Sequence, residues 1–219
     1  MTYKFERLNG RGDWPVKIDN KDVKDIGTIY QMPAWLAFLS KTQNGELVVA
    51  RLRKGPEPIG YFTGVIVRKW GLRILGSPFP GWSTAHMGLI LSAGADRGDA
   101  VQALIEFAFG ELGCVHLEMM DRTLTVSDLG GLDFQYRMYR GFEIDLTRDE
   151  DELFSNMTSA CRRCVRKAEK EGVLIEKAYD LEFADEYYAQ LKDVFAKQRF
   201  VSASCAGPLG HFLRPILLH

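Results

Sequence analysis

The sequence predicts a mixed α/β protein: a mixed sheet flanked by helices, followed by the start of a second, similar unit. Three observations carry this. Residues 46–53 and 59–68 are rich in Val, Ile, Tyr and Phe, and the segment KGPEP separates them. That is a strand, a turn and a strand. Between two later strand-like runs, Val101, Leu104, Ile105, Ala108 and Leu112 recur at helical spacing. A third stretch, 147–177, reads as one long amphipathic helix running into a strand.

The chain has 219 residues, 46% hydrophobic and 26% charged, which allows one large or two small packed domains. Its formal net charge is −1, which argues against a protein that coats nucleic acid. No apolar run is long enough to span a membrane, and the N-terminus lacks a signal-peptide pattern. A cytoplasmic location is expected. The four cysteines stand at 114, 161, 164 and 205. Cys161 and Cys164 form a CxxC without the second pair or histidine of a zinc set, so no metal is expected. Their place on the helical stripe predicts core thiols, with redox or metal roles as the alternative.

In chain order, residues 1–28 read as a polar lead-in, and the Arg-Gly-Asp at 11–13 as chance. Residues 29–41 predict a helix with Pro33 in its first turn and Trp35, Leu36 and Leu39 on its core face. A short strand is expected at 72–75. The segment 76–88, GSPFPGWSTAHMG, carries too much Pro and Gly for regular structure. It presents Phe79 and Trp82, which either cap the core or line a site. His86 alone carries little weight. Strands are expected at 89–91 and 114–120, with a helix between them capped by Asp99. Glu118 and Asp121 end the second of these strands. Ligands gather beyond the carboxyl ends of strands in α/β sheets. Two carboxylates there suit acid/base work or are a solvated strand end. A helical turn at 125–129 and a strand at 134–146 follow.

The stretch 147–177 is expected to open on a Thr147/Glu150 capping box and to stop at Gly172. Leu153, Phe154, Met157, Cys161, Cys164, Val165 and Ala168 form its apolar stripe. Arg162, Arg163, Arg166, Lys167 and Lys170 form a basic face. Such a face suits phosphate, since a guanidinium is a planar donor fork, or it is solvated with Glu169 and Glu171 as local partners. Residues 173–179 predict a strand. Asp180 then caps a helix bearing Phe183, Tyr187, Leu191, Val194 and Phe195.

Four runs together resemble the FemAB-like group of the GNAT acyltransferase superfamily: IYQMPAWLAFL, GFEIDL from Gly141, RRCVRKAEKEGV from Arg162, and YYAQLKDVFAKQ from Tyr187. The resemblance covers roughly 29–199. It implies a GNAT-like first domain at 29–147, a connecting basic helix at 148–172, and a second GNAT-like unit at 173–219. It implies acyl or aminoacyl transfer to an amine of a cell-envelope or polysaccharide precursor, with acyl-CoA or aminoacyl-tRNA as donor. The acceptor would be a small molecule or a lipid-linked sugar or peptide, with peripheral membrane contact, and no nucleic acid other than tRNA. Substrate-binding candidates are Trp82, Glu118, Asp121, Arg162, Arg163, Arg166 and Lys167; no catalytic residue is assigned. The family pattern continues into further strands after Gln198, where this chain reads VSASCAGPLGHFLRPILLH, so the second half is expected to be incomplete and a non-catalytic binding module is the alternative function. The pyrophosphate-cradling Arg/Gln-x-x-Gly-x-Gly/Ala run is missing: Arg73-Ile-Leu-Gly76 begins like it and continues Ser-Pro. The first domain is therefore not expected to bind CoA in the usual way.

Overall fold

The computed structural model describes residues 2–8, 27–177 and 182–197. They form two compact units, divided between Arg137 and Met138. The first is mixed α/β. Its strands are β1 (Tyr3–Arg7), β2 (Glu46–Lys54), β3 (Glu57–Lys69), β4 (Leu72–Ser77), β5 (Gly88–Leu91) and β6 (His116–Met119). The sheet order is β1-β2-β3-β4-β6, with β5 also on β3. Among the described strands, only β4 and β6 pair in parallel. Helices α1 (Pro33–Gln43) and α2 (Arg97–Glu106, continued by a π-helical turn at Phe107–Glu111) complete the unit.

Alternation along the strands splits the core in two. Phe5, Val48, Ala50, Leu52, Phe62, Ile66 and Leu75 face α2 and pack with Val101, Leu104 and Phe107. Val49 and Val65 face the other way and pack with Leu36 and Leu39 of α1. Trp35, expected in the core face of α1, is only partly buried there. The Trp70-Gly71 turn joining β3 to β4 has positive φ at both residues, 53° and 82°. That backbone suits the twist of a tight hairpin, and Gly71 takes it without steric cost.

Several expectations need correction. Tyr3–Arg7, placed in the polar lead-in, is a strand paired along its length with β2. Tyr3 and Phe5 are buried, and the Tyr3 hydroxyl accepts the Asp96 N–H at the start of α2 (3.0 Å). The Arg-Gly-Asp at 11–13 lies outside the described residues. The cap of α2 is Asp96, whose carboxylate accepts the Asp99 N–H (2.8 Å); Asp99 sits inside the first turn. The run 134–146 is not a strand. Phe134 is half-buried against the first core, whereas Phe142, Ile144 and Leu146 are exposed.

In the second unit the expected long helix is two helices, α3 (Glu150–Asn156) and α4 (Ser159–Lys170). Asp149 caps α3, accepting the Glu152 N–H at 2.7 Å. Thr147 is diverted: its N–H and hydroxyl both donate to the Asp145 carboxylate, at 3.0 and 2.6 Å. Met157 and Thr158 are extended, and the Thr158 hydroxyl caps α4 by accepting the Cys161 N–H (3.3 Å). The apolar stripe is not a core face: Met157, Cys161 and Cys164 are exposed, and Leu153, Phe154, Val165 and Ala168 are only half-buried. Gly172, at φ 75°, follows the end of α4 as expected. Residues 173–177 carry no strand. Helix α5 (Glu182–Lys197) is present, with Phe183, Tyr187 and Val194 exposed. The Asp180 cap lies outside the described residues.

At one end of the α2 face the apolar rows close in an ion cluster. Glu46 receives Arg7 at 2.9 Å, Arg73 at 3.2 Å and Arg68 at 3.9 Å, so one carboxylate ties β1, β2, β3 and β4. Partial burial pushes the Glu46 carboxyl up, but the hydrogen bonds from Arg7 and Arg73 outweigh it and leave the group below its ordinary value of 4.5. A depressed carboxyl stabilises the fold above its unfolded pKa, and that contribution fades as pH falls through the folded value. Denaturation midpoints of parent and Glu46→Gln, compared between about pH 3 and pH 7, should therefore differ most near neutrality and converge below about pH 4.5. A difference constant across that range would contradict this assignment.

Candidate functional site

The site is built where one strand line is broken. Strands β4 and β5 lie end to end along the same edge of β3: Val65 pairs Gly76 and Lys69 pairs Leu72, while Thr63 pairs Gly88 and Gly60 pairs Leu91. Residues 78–87 leave the line after Ser77 and return at Gly88. A buried backbone cannot be interrupted without new partners for its polar groups. The Ser77 hydroxyl supplies two bonds, donating to the Thr63 carbonyl (2.6 Å) and accepting the Gly88 N–H (2.9 Å). Met120 bridges the gap: its N–H donates to the Ser77 carbonyl and its carbonyl accepts from Met87, both at 2.9 Å. Asp121 Oδ2 accepts the Leu89 N–H at 2.9 Å. On the far side, the buried Gln31 amide reaches the Gly88 carbonyl (3.4 Å) and accepts the Thr28 N–H (3.0 Å).

Gly88 is required here. Its φ is 85°, and a Cβ at this position would lie 2.3 Å from Asp121 Oδ2. Gly76 is needed for a different reason: the Phe79 ring lies over it, 2.4 Å from where a Cβ would be. Phe79 is buried, and Trp82 packs edge-on against it with ring centroids 5.0 Å apart. Trp82 itself is only half-buried. The loop is fastened to α1 by the Trp35 indole N–H, which donates to the buried Thr84 hydroxyl at 3.0 Å. Tyr30 stands edge-on to Trp35 (5.3 Å) and to His86 (5.5 Å). Phe79 therefore belongs to the core, while Trp82 retains an accessible edge.

Glu118 and Asp121 have different tasks. Both Asp121 oxygens are engaged: Oδ2 by Leu89 and, at 3.6 Å, by Arg97; Oδ1 by the Thr123 N–H and hydroxyl (2.8 and 2.7 Å) and the Leu124 N–H (3.2 Å). The carboxylate holds the strand break and has no oxygen left for a substrate. Glu118 lies beside Gly76 in the parallel register. Its Oε1 meets His116 Nε2 at 3.0 Å. Its Oε2 is buried without a hydrogen-bond partner among the described residues. A buried carboxylate oxygen left unpaired is costly, which marks Glu118 as the group with capacity to bind.

The basic candidates lie on α4, in the second unit. Two of the four are committed to the α3–α4 joint. Arg162 Nη1 donates to the Ser155 carbonyl (2.8 Å) and to that of Met157, satisfying the open C-terminal end of α3. The Arg166 guanidinium lies over the Phe154 ring at 5.3 Å. Arg163 is exposed, and Lys167 pairs weakly with Glu171 at 3.6 Å. The usable positive face is thus Arg163 and Lys167, with Lys170 further along. Sequence reasoning missed Ser77, Gly88, Gln31 and His116. Only Gly88, a glycine opening an apolar run, left a signal that could have been read.

If the Asp121 carboxylate closes the strand break, Asp121→Asn should lower unfolding stability by about 1–3 kcal/mol, because one N–H then faces an amide donor. Gly88→Ala should cost at least about 2 kcal/mol through strain and contact with Asp121. Chemical denaturation measures both, and near-neutral values would overturn the role given to this knot. No family model, curated protein or solved structure matches the chain, so the site rests on its own geometry.

Proposed function

We propose that the protein takes part in acyl or aminoacyl transfer of the FemAB/GNAT type, in the cytoplasm, on an amine of a cell-envelope or polysaccharide precursor. In this reading the first unit supplies the acceptor side. The observation that carries it is Glu118, whose Oε2 is buried and unpartnered among the described residues while Oε1 meets His116; its register partner is Gly76, over which lies the Phe79 ring of the Phe79–Trp82 pair. A carboxylate suits an ammonium group, and an aromatic pair carried by the neighbouring strand's loop adds ring faces that a cation favours. As the amine attacks the donor carbonyl, a C–N bond forms and the bond to the sulfur or oxygen leaving group breaks. Glu118 would take the amine proton, and the leaving group is protonated on release. A mixed sheet in which the crossover helix α2 brings β6 parallel to β4 supports a GNAT-like reading of this unit.

The donor is assigned by resemblance, as acyl-CoA or aminoacyl-tRNA. A pyrophosphate at the start of α2 is disfavoured. The Asp96 carboxylate already accepts the Asp99 N–H, and Asp99 adds a second negative charge in the same turn. Arg163 and Lys167 in the second unit are the cations best suited to a phosphate-bearing substrate, including a lipid-linked one near a membrane surface. Among the described residues, no helix is long and apolar enough to cross a membrane.

A binding module without catalysis is the second reading. It is favoured by the commitment of Asp121, Arg162 and Arg166 to structure, which leaves Glu118 without a second free acid/base group among the candidates. One experiment separates the readings. Lysine amide and glucosamine are titrated into the full chain, followed by the Trp82 indole N–H resonance, assigned with Trp82→Phe. An acceptor site at Glu118 should give a shift with both amines, none with their N-acetylated forms, and no response in Glu118→Gln. No shift at millimolar amine would sink the acceptor site. Addition of acyl-CoA or aminoacyl-tRNA then decides the class: an N-acylated product supports the transferase, and binding without product supports the module.

A further inference from the structure

The exposed CxxC of α4 does not stand alone. Cys161 Sγ lies 3.8 Å from Met157 Sδ. Cys164 follows Cys161 by three residues on the same helix, the spacing that sets two side chains next to each other on one face. All three residues are exposed. Free cysteines are among the most buried side chains in proteins, so two exposed thiols on adjoining turns, with a thioether in contact, need a reason. Between Met157 and Ala168 the chain has no acidic side chain and no histidine, but has Arg162, Arg163, Arg166 and Lys167. The donors available are therefore all sulfur, in cationic surroundings.

We propose that Met157, Cys161 and Cys164 form a binding site for a single Cu(I) ion. The choice follows from the donors. Thiolate and thioether are soft ligands that select Cu(I), whereas hard cations require oxygen. A four-coordinate zinc site needs further N, O or S ligands, and no group of three His, Cys, Asp or Glu that could hold a metal occurs among the described residues. Two or three sulfurs satisfy Cu(I). On binding, both thiols lose their protons to solvent, two Cu–thiolate bonds and one Cu–thioether bond form as the ion's carrier ligands leave, and the oxidation state does not change. The resulting bis-thiolate carries one net negative charge, which Arg163 and Lys167 offset. The joint between α3 and α4 is what sets the third sulfur in place: Met157 is its extended residue, and Arg162 holds its carbonyl.

The test uses the full chain with Cys205→Ser throughout, kept reduced under argon. Cu(I) supplied as its acetonitrile complex is competed between protein and bicinchoninate. The site predicts that the parent withdraws one equivalent of copper and releases two protons. Cys161→Ser and Cys164→Ser should each lose this, and Met157→Leu should weaken it without abolishing it. Circular dichroism should be unchanged in all three variants, since the side chains are exposed. The proposal is overturned if the parent withdraws no copper, if the double serine variant withdraws as much as the parent, or if equimolar Zn(II) displaces the copper.

Discussion

The knot of hydrogen bonds at Ser77, Gly88 and Asp121 is the constraint on which the first unit depends. A strand buried between β3 and its neighbours is opened for ten residues and then resumed in register. The carbonyls of Thr63, Ser77 and Gly88 and the N–H groups of Met87, Gly88 and Leu89 find partners in a serine hydroxyl, a carboxylate oxygen, the backbone of Met120 and the amide of Gln31. Without these the opening would leave several buried donors and acceptors unpaired, each costing about 1–3 kcal/mol. With them, the excursion carries Phe79, Trp82 and Thr84, is tied to α1 through Trp35, and starts from the strand paired with the one that bears Glu118.

Much of the first unit was legible because its residues obey short-range rules. The alternation in β2 and β3 sends Val48, Ala50 and Leu52 to one core and Val49 to the other. Helix α2 shows its stripe at Val101, Leu104 and Ala108. Strand β1 escaped because two apolar residues, Tyr3 and Phe5, make too short a pattern among polar neighbours. The failures in the second unit share one cause. Period and alternation describe which face an element could bury, and burial needs something to bury against. Phe142, Ile144 and Leu146 alternate well and remain exposed without a ladder. The half-buried Leu153, Phe154, Val165 and Ala168 of the second unit show the same limit.

The candidate residues illustrate a second limit. Glu118 and Asp121 are three residues apart and chemically alike, yet one is saturated with donors and the other retains a bare buried oxygen. The four basic residues of α4 divide likewise, two closing the α3–α4 joint and two facing outward. Residue type gave the chemistry available at each place. The partners that consume it come from backbone groups distant in sequence, which no local pattern records.

Hydrogen exchange at the Gly88 and Leu89 amides reports whether the strand break is closed in solution. If the knot closes the strand break, both amides exchange only through global unfolding, as slowly as those at the middle of β2. Exchange as fast as that of the loop residues Gly81 and Ser83 would mean that the break is open in solution, and would contradict the account.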